Sequence, residues 1–242
     1  MGRIEQNNPR LEMIWTFVRG DLAPAEFEHW VYAEAGLEDQ LGERLYMETV
    51  SADYSNKGAV YEIRQSLGAY AREASNLRCE CITLRDLADI GMGADADVPL
   101  RTLETMAKRE SPLWWLSAEQ CTACKQWWLM ATESRINDVY LLKRLSPREG
   151  ERILNENQWP EDFDSFERLL RLGRERGHEW VFVDPLDSSL TSTAADLARE
   201  QPGIGVAELA KLLQLDVPHA REIARKAMKD EGVVFDLGQI ET

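Results

Sequence analysis

Apolar residues recur at helical spacing in the first part of the chain. Three stripes follow one another, over Phe27–Val31, Leu37–Leu45 and Val60–Tyr70. Steps of three and four residues predict three amphipathic helices. The polar segment 51–58 between the second and third stripes predicts a turn, and Asp21 or Asp53 would cap an adjoining helix. The pattern therefore predicts a helical bundle over residues 1–77.

From residue 78 the apolar runs become shorter and contain more residues that favour β-strands. Residues 78–84 read RCECITL, a compact β-rich run. Residues 91–99 predict a turn-rich link, and 100–108 predict a short helix. Three runs then predict strands, at 112–119, 125–133 and 138–145. Helices are expected after Ser146 and from about Asp164, so residues 78–180 form a β unit with two helices.

The last part of the chain is again helical in pattern. Helices are predicted over 194–199, 206–213 and 217–228, with a tight turn at 214–216. The predicted fold class is therefore α+β, mainly α, with three domains: an acidic helical bundle at 1–77, a β unit with two helices at 78–180, and a linker with a helical domain at 181–242.

Composition limits the classes of protein. The 242 residues carry a net charge of −15 and include only 4 Cys. Sparse cysteine excludes a disulfide scaffold, and no apolar run is long enough to cross a bilayer. The charge disfavours broad adhesion to nucleic acid or to an anionic membrane, and favours cationic partners. The first residues lack a secretory signal, so we expect a cytoplasmic protein.

The four cysteines form two close pairs, Cys79 with Cys81 and Cys121 with Cys124. If the first pair lies in a strand, its sulfurs project to one side, since side chains two residues apart share a face. The second pair falls at the tip of a predicted β-hairpin. Four thiolates are the ligand set of a closed tetrahedral zinc site. Ordinary reduced thiols and redox chemistry are the alternatives.

Residues 78–145 resemble a zinc ribbon on the strength of these pairs and the flanking strands. The resemblance implies a structural Zn²⁺ held by Cys79, Cys81, Cys121 and Cys124. All four ligand positions would come from the protein, which leaves no open position for a catalytic water. The first pair has one intervening residue instead of two, so the ribbon subtype is open.

Tryptophan doublets at 114–115 and 127–128 bracket the second cysteine pair. Neighbouring residues in a strand face opposite ways, so each doublet is expected to place one ring on either side of the sheet. We expect packing against helices on both sides. Base stacking by exposed rings is the alternative.

Carboxylates are concentrated between residues 21 and 53. This stretch holds nine acidic residues and one basic residue, Arg44. A solvated helix face is the simple interpretation. An electrostatic docking surface is the functional one, and its candidate residues are Asp21, Glu26, Glu28, Glu34, Glu38, Asp39 and Asp53.

The segment 14–30, together with 46–53 and 55–57, resembles bacterial toxin-immunity proteins of the helical, colicin-immunity-like kind. The resemblance implies a stoichiometric inhibitor that binds a cognate toxin and covers its active site. An acidic surface fits this role, because a basic partner is attracted to it before contact.

The C-terminal segment from Ala194 resembles a winged helix-turn-helix, with 217–228 as its recognition helix. The resemblance implies DNA contacts from basic residues of that helix. The candidates are His219, Arg221, Arg225, Lys226 and Lys229. Residues 181–242 nevertheless carry a net charge of −5, whereas a DNA-binding domain usually has a basic footprint. Protein docking or packing is the other interpretation.

Catalytic motifs are missing from the sequence. The three histidines fall in three different predicted domains, and there is no Gly-rich phosphate loop, nucleophile elbow or His-Glu-x-x-His spacing. We therefore expect a non-catalytic, acidic bacterial protein of immunity type that neutralises a basic toxin. A transcriptional regulator that binds DNA through the helix-turn-helix is the alternative, and a plain adaptor is a third reading.

Overall fold

A computed structural model describes residues 8–76, 79–93, 98–134, 136–178, 180 and 187–238, with only the backbone for 136–138 and 187–188. The protein is α+β and mainly α, which confirms the predicted fold class. Within this part of the chain no helix combines the length and the apolar composition that a membrane crossing requires.

Ten α-helices lie in the described part of the chain. They are α1 (Pro9–Arg19), α2 (Pro24–Ala33), α3 (Leu37–Leu41), α4 (Glu43–Ser51), α5 (Lys57–Ser75), α6 (Pro147–Glu156), α7 (Phe166–Arg176), α8 (Asp187–Glu200), α9 (Val206–Leu213) and α10 (Val217–Glu231). The helical stripes predicted for the first and last parts of the chain are therefore confirmed in type.

The described strands form two sheets. They are β1 (Leu87–Gly91), β2 (Leu103–Glu110), β3 (Trp114–Cys121), β4 (Trp127–Glu133), β5 (Ile136–Leu145), β6 (Ile204–Gly205) and β7 (Phe235–Asp236). The larger sheet has the order β1-β5-β4-β3-β2, and β5 pairs antiparallel with both β1 and β4. The two-residue strands β6 and β7 pair in parallel. The three strands predicted at 112–119, 125–133 and 138–145 are confirmed as β3, β4 and β5.

The chain forms two compact units, where the sequence predicted three domains. Unit 1 comprises residues 1–86, 98–103 and 121–126, and unit 2 comprises 87–97, 104–120 and 127–242. The predicted boundary at residue 181 falls inside unit 2, and the linker segment 181–186 lies outside the described residues. The reason for the difference is that the sheet and the C-terminal helices share one hydrophobic core.

Unit 1 is built around stacked aromatic rings. Phe17 and Phe27 lie parallel with centroids 3.8 Å apart, and the Tyr54 ring meets both near 6 Å. The surrounding aliphatic side chains come from α1 to α5. These helices therefore bury the apolar stripes that the sequence predicted and leave most of their charged positions outside, with Arg19 of α1 a buried exception.

Helix ends follow local sequence signals. Asn8 accepts hydrogen bonds from the N–H groups of Arg10 and Leu11 at the start of α1, and Ser146 with Glu149 forms a capping box at the start of α6. Asp53 does not cap a helix, because Asn56 caps α5 and Asp53 binds Ser55 instead. Asp21 likewise does not cap α2.

The larger sheet buries tryptophans on its two faces. Trp114 and Trp127 belong to the core of unit 2, and Trp114 donates through its indole N–H to the carbonyl of Phe163. Trp128 is fully buried, with the Arg144 guanidinium 4.4 Å above its ring. Trp115 is the exposed member of the four, at 39 %.

Three local predictions were wrong. Residues 81–83 form a short 3₁₀ helix and no strand, since Thr83 N–H and Oγ turn back onto the carbonyl of Glu80. Residues 103–110 form β2 in place of a helix. The stripe over Leu37–Leu45 is split into α3 and α4 at Gly42, whose φ of +75° interrupts helical backbone. Residues 94–97 of the predicted link lie outside the described residues.

Close packing of α6 on the sheet gives a testable consequence. A Cβ added at Gly150 would overlap the Trp127 indole ring. Gly150→Ala is therefore expected to lower the free energy of unfolding by about 1 to 3 kcal/mol, as overpacked cores do. Urea denaturation measures the loss.

Gly205→Ala is the matched control, because no atom lies within 4 Å of a Cβ built there and its φ is negative. This variant should stay within about 1 kcal/mol of the native protein. Equal losses in the two variants would contradict the packing argument.

Candidate metal centre and charged surfaces

All four cysteines converge at one place in unit 1. Their sulfurs lie within 4.8 Å of one another. The Cys81 sulfur is 3.7 Å from that of Cys79 and 3.5 Å from that of Cys124. These separations are far longer than the roughly 2.05 Å of a disulfide, so all four are free thiols. The convergence expected from the sequence is confirmed.

The first pair is placed by a tight turn. Glu80 has helical backbone angles and Cys81 opens the 3₁₀ helix. The expectation that a strand aligns Cys79 and Cys81 was therefore wrong, although the two sulfurs still meet. A turn folds the chain back on itself within a few residues, which brings the two side chains together without strand periodicity.

The second pair is placed by the loop between β3 and β4. The N–H of Cys121 donates to the carbonyl of Gln126, and the N–H of Lys125 donates to the carbonyl of Cys121, both at 2.9 Å. The N–H of Cys124 points at the Cys121 sulfur, 3.5 Å away. Lys125 takes a left-handed conformation with φ of +65° to close this turn.

Thr102 supports the second pair from a distant part of the sequence. Its hydroxyl lies 3.2 Å from the Cys121 sulfur. Its carbonyl accepts from both the N–H and the hydroxyl of Thr122, at 2.8 and 3.1 Å. Hydrogen bonds of this kind orient ligating side chains. Thr102 could not be predicted from the sequence, because nothing in its local sequence distinguishes it.

Crowding of the sulfurs perturbs their protonation. The Cys124 thiol receives hydrogen bonds from Cys79 and Cys81, which lowers its pKa to about 2. The pKa of Cys79 is raised to about 12, first because it donates to Cys124, and that of Cys81 is raised for the same reason. Hydrogen bonds from its neighbours thus stabilise the Cys124 thiolate. A bound cation would supply this stabilisation in place of the protons.

The donor set fits a tetrahedral metal ion. Metal–sulfur bonds of about 2.3 Å place the sulfurs of a tetrahedral site about 3.8 Å apart, close to the distances found here. Cys79, Cys81 and Cys121 are buried and Cys124 is half-buried. Four sulfur donors fill the coordination sphere, so these residues are suited to holding an ion and leave no position for substrate.

Two of the seven acidic candidates are engaged within unit 1. Asp21 is only 9 % exposed at its side chain and accepts from Arg19 Nε at 3.0 Å and from the N–H of Asp86 at 2.9 Å. Burial raises the pKa of its carboxyl, and those two donors oppose the rise. Glu34 pairs with Arg10 at 2.6 Å. Glu34 thus links the end of α2 to α1, and Asp21 links the turn after α1 to residue 86.

The other five acidic candidates face solvent to a greater degree. Glu26, Glu38, Asp39 and Asp53 are exposed and Glu28 is half-buried. The hydroxyl and N–H of Ser55 hold the pKa of Asp53 below its usual value. Glu26 also accepts from the N–H of Ala23 at 3.3 Å, but its side chain remains at the surface.

The five basic candidates of α10 differ in exposure. Arg225, Lys226 and Lys229 are exposed, whereas His219 and Arg221 are half-buried. The Nε of Arg221 is buried without a hydrogen-bond partner among the described residues. Asp216 caps the helix by accepting from the N–H of His219 at 2.7 Å, and Pro218 lies in the first turn, as predicted.

Two exposed apolar side chains lie beside the acidic residues and were not singled out by the sequence analysis. Tyr32 of α2 is 65 % exposed and Met47 of α4 is 54 % exposed. The Tyr32 hydroxyl donates to the carbonyl of Val50 at 2.9 Å, which fixes its ring against α4. In the sequence, the signal for this exposure was the position of Tyr32 on the polar side of the Phe27–Val31 stripe.

Comparison of the chain with protein-family models, with curated proteins and with solved structures finds no match. The interpretation of these sites therefore depends on their geometry and chemistry.

Substitution of one cysteine tests directly whether the cluster binds a metal ion. Cys81→Ser takes away a fully buried sulfur that touches two others, so bound metal should fall from one ion per chain to below half. The free energy of unfolding should fall by roughly 3 kcal/mol or more, since metal binding contributes to folding in such sites. Elemental analysis and chemical denaturation measure the two effects.

Ala123→Ser changes an exposed residue between Cys121 and Cys124 without touching a sulfur donor. It should bind metal and unfold like the native chain. Full metal content in Cys81→Ser, or none in the native chain, would contradict the assignment.

Proposed function

We propose that this chain is a non-catalytic binding protein of immunity type, which captures and neutralises a basic toxin. The observation that carries the proposal is the group of acidic side chains at the surface of α2 to α4 and of the loop that follows α4 in unit 1, hereafter the α2–α4 surface. We define it by its exposed or half-buried members, which are Glu26, Glu28, Tyr32, Glu38, Asp39, Met47 and Asp53.

Charge on this surface favours a cationic partner. Arg44 is the one basic residue between residues 21 and 53, and it lies 3.9 Å from Glu48. The carboxylates of Glu38 and Asp39 make no ion pair with a described residue. Unpaired surface carboxylates attract a basic protein over a distance of about a Debye length and accelerate its encounter. An acidic patch also fits a cleft that binds phosphate groups.

Exposed apolar side chains give the α2–α4 surface a means of tight binding. Glu28 and Tyr32 are one helical turn apart and share a face of α2. Burial and the nearby Glu28 carboxylate raise the pKa of Tyr54, which lies beneath them. Protein interfaces concentrate their binding energy in aromatic residues and methionine surrounded by polar groups. Tyr32 and Met47 are the expected anchors.

We infer that the ion at the cysteine cluster is Zn²⁺. Four thiolates in tetrahedral spacing are typical of structural zinc, which needs no redox partner and no open position. The ion would hold residues 79–81 to residues 121–124 within unit 1. Its role in the proposal is to keep unit 1 folded, with no part in chemistry.

Charge reversal tests the α2–α4 surface. If a basic protein is encoded beside this gene, it is the first candidate partner, since immunity and toxin genes are normally neighbours. Glu38→Lys combined with Asp39→Lys should slow association at least about tenfold at low salt and flatten its dependence on salt, because steering is lost. Stopped-flow association measures the rate, and survival of cells that express the toxin measures neutralisation.

Glu151→Lys combined with Glu156→Lys is the matched control, since both residues are exposed on α6 in unit 2. It changes the net charge by the same amount and should leave protection intact. An association rate in the Glu38 and Asp39 variant equal to that of the native chain would reject the surface.

A DNA-binding regulator is the second candidate function. The observation in its favour is that Arg225, Lys226 and Lys229 are exposed on α10 and make no ion pair with a described residue. Cations on one helix that follows a tight turn are suited to phosphate contacts. The acidic character of the C-terminal segment opposes this function and makes it the weaker of the two.

Gel mobility shifts at several salt concentrations separate the candidates. If α10 binds DNA, Arg225→Ala and Lys229→Ala should each weaken binding and reduce the salt slope by about one. Lys57→Ala in unit 1 should have no such effect. Absence of sequence-selective binding by the native chain would exclude the regulator.

A further inference from the structure

Arg64 of α5 has a guanidinium group for which the described part of the chain offers no acceptor. Its Nε is buried and has no hydrogen-bond partner among the described residues, and none of its other nitrogens bonds to a described oxygen. The group lies 4.8 Å from the centre of the Phe17 ring, a contact that holds it in place but satisfies no N–H. A guanidinium has five N–H donors, so this group retains capacity for an acceptor.

Arg85 brings a second guanidinium to the same place. Both groups flank Gly20, where a Cβ would lie 3.8 Å from Arg64 Nη1 and 3.8 Å from Arg85 Nε. The Nη2 of Arg85 donates to the Gly20 carbonyl at 3.1 Å, which fixes the approach of its side chain. Gly20 has a left-handed φ of +84° as the C-cap of α1, and as a glycine it places no side chain of its own between the two cations.

The neighbouring carboxylate is already occupied. Asp21 Oδ1 lies 4.0 Å from Arg85 Nε, beyond hydrogen-bond distance, and the same oxygen accepts from the N–H of Asp86. Its Oδ2 accepts from Arg19. Burial lowers the pKa of Arg64, and repulsion from Arg85 lowers it further. Attraction to the Asp21 carboxylate raises this pKa in part. The two guanidinium groups thus lie on either side of Gly20, near the Asp21 carboxylate, whose two oxygens already accept hydrogen bonds.

We propose that Arg64 and Arg85, on either side of Gly20, bind an oxyanion, either a phosphate or a carboxylate group. Paired guanidinium groups suit such ligands because their planar N–H groups match two oxygens at once. The bound anion would accept from Arg64 and separate the two like charges. This site uses other residues than the α2–α4 surface and stands without the proposed function.

Thermal unfolding of the full chain tests the site with two probes, potassium phosphate and potassium acetate, each against potassium chloride at matched pH and ionic strength. The melting temperature of the native chain should rise saturably with at least one of the two, since a ligand of the native state stabilises it. A response to phosphate identifies a phosphate-type ligand, and a response to acetate alone identifies a carboxylate.

Arg64→Met and Arg85→Met should each weaken the apparent affinity for that anion by at least about tenfold, the factor expected when a charge-assisted hydrogen bond is lost. Arg44→Met, which removes a 90 % exposed guanidinium, should respond like the native chain. If Arg64 has only a structural role, Arg64→Met will lower the melting temperature and leave the anion response unchanged. That result would overturn the proposal. A native chain that responds saturably to neither anion would overturn it too.

Discussion

Convergence of four cysteine sulfurs is the constraint on which unit 1 depends. This unit is made of three separate stretches of chain, and the cluster joins the first stretch to the third. Holding together two positions about 40 residues apart costs about 4 kcal/mol of chain entropy. Hydrogen bonds between Thr102 and Thr122 join the second stretch to the third. Sulfurs this close would repel one another as thiolates, so the proposed metal ion would make the arrangement a stabilising one.

Charge in unit 1 is divided between two roles. Glu34 is paired with Arg10 between α2 and α1, and Asp21 accepts from Arg19 and from the N–H of Asp86. The exposed carboxylates of the α2–α4 surface have few such partners, and their field extends into solvent. The net charge of the chain alone does not distinguish these roles, whereas burial and hydrogen bonding do. The proposed function depends on this distinction, because only an exposed and unpaired carboxylate can steer a partner.

Sequence periodicity predicted what is determined locally. The apolar stripes of α2, α5 and α9, the strands β3, β4 and β5 and the pairing of cysteines all follow from spacing within a few residues. Contacts between distant residues were not predictable in this way. Thr102 approaches Cys121, and Asp21 accepts from Asp86, only because the folded chain brings them together.

Errors in secondary structure arose where short-range and long-range signals disagree. Residues 103–110 contain good helix formers, but a place at the edge of the sheet makes them a strand. Residues 78–84 contain β-forming residues, but the turn at Glu80 sets the backbone around Cys81. The boundary expected near residue 181 did not account for the shared core of unit 2, which a single sequence does not reveal.

X-ray absorption at the zinc edge of the purified full chain tests the central claim most directly. The account predicts a first shell of four sulfurs at about 2.3 Å with no nitrogen or oxygen. A shell that contains nitrogen or oxygen ligands, or a chain that carries no zinc after purification in zinc-supplemented medium, would contradict it.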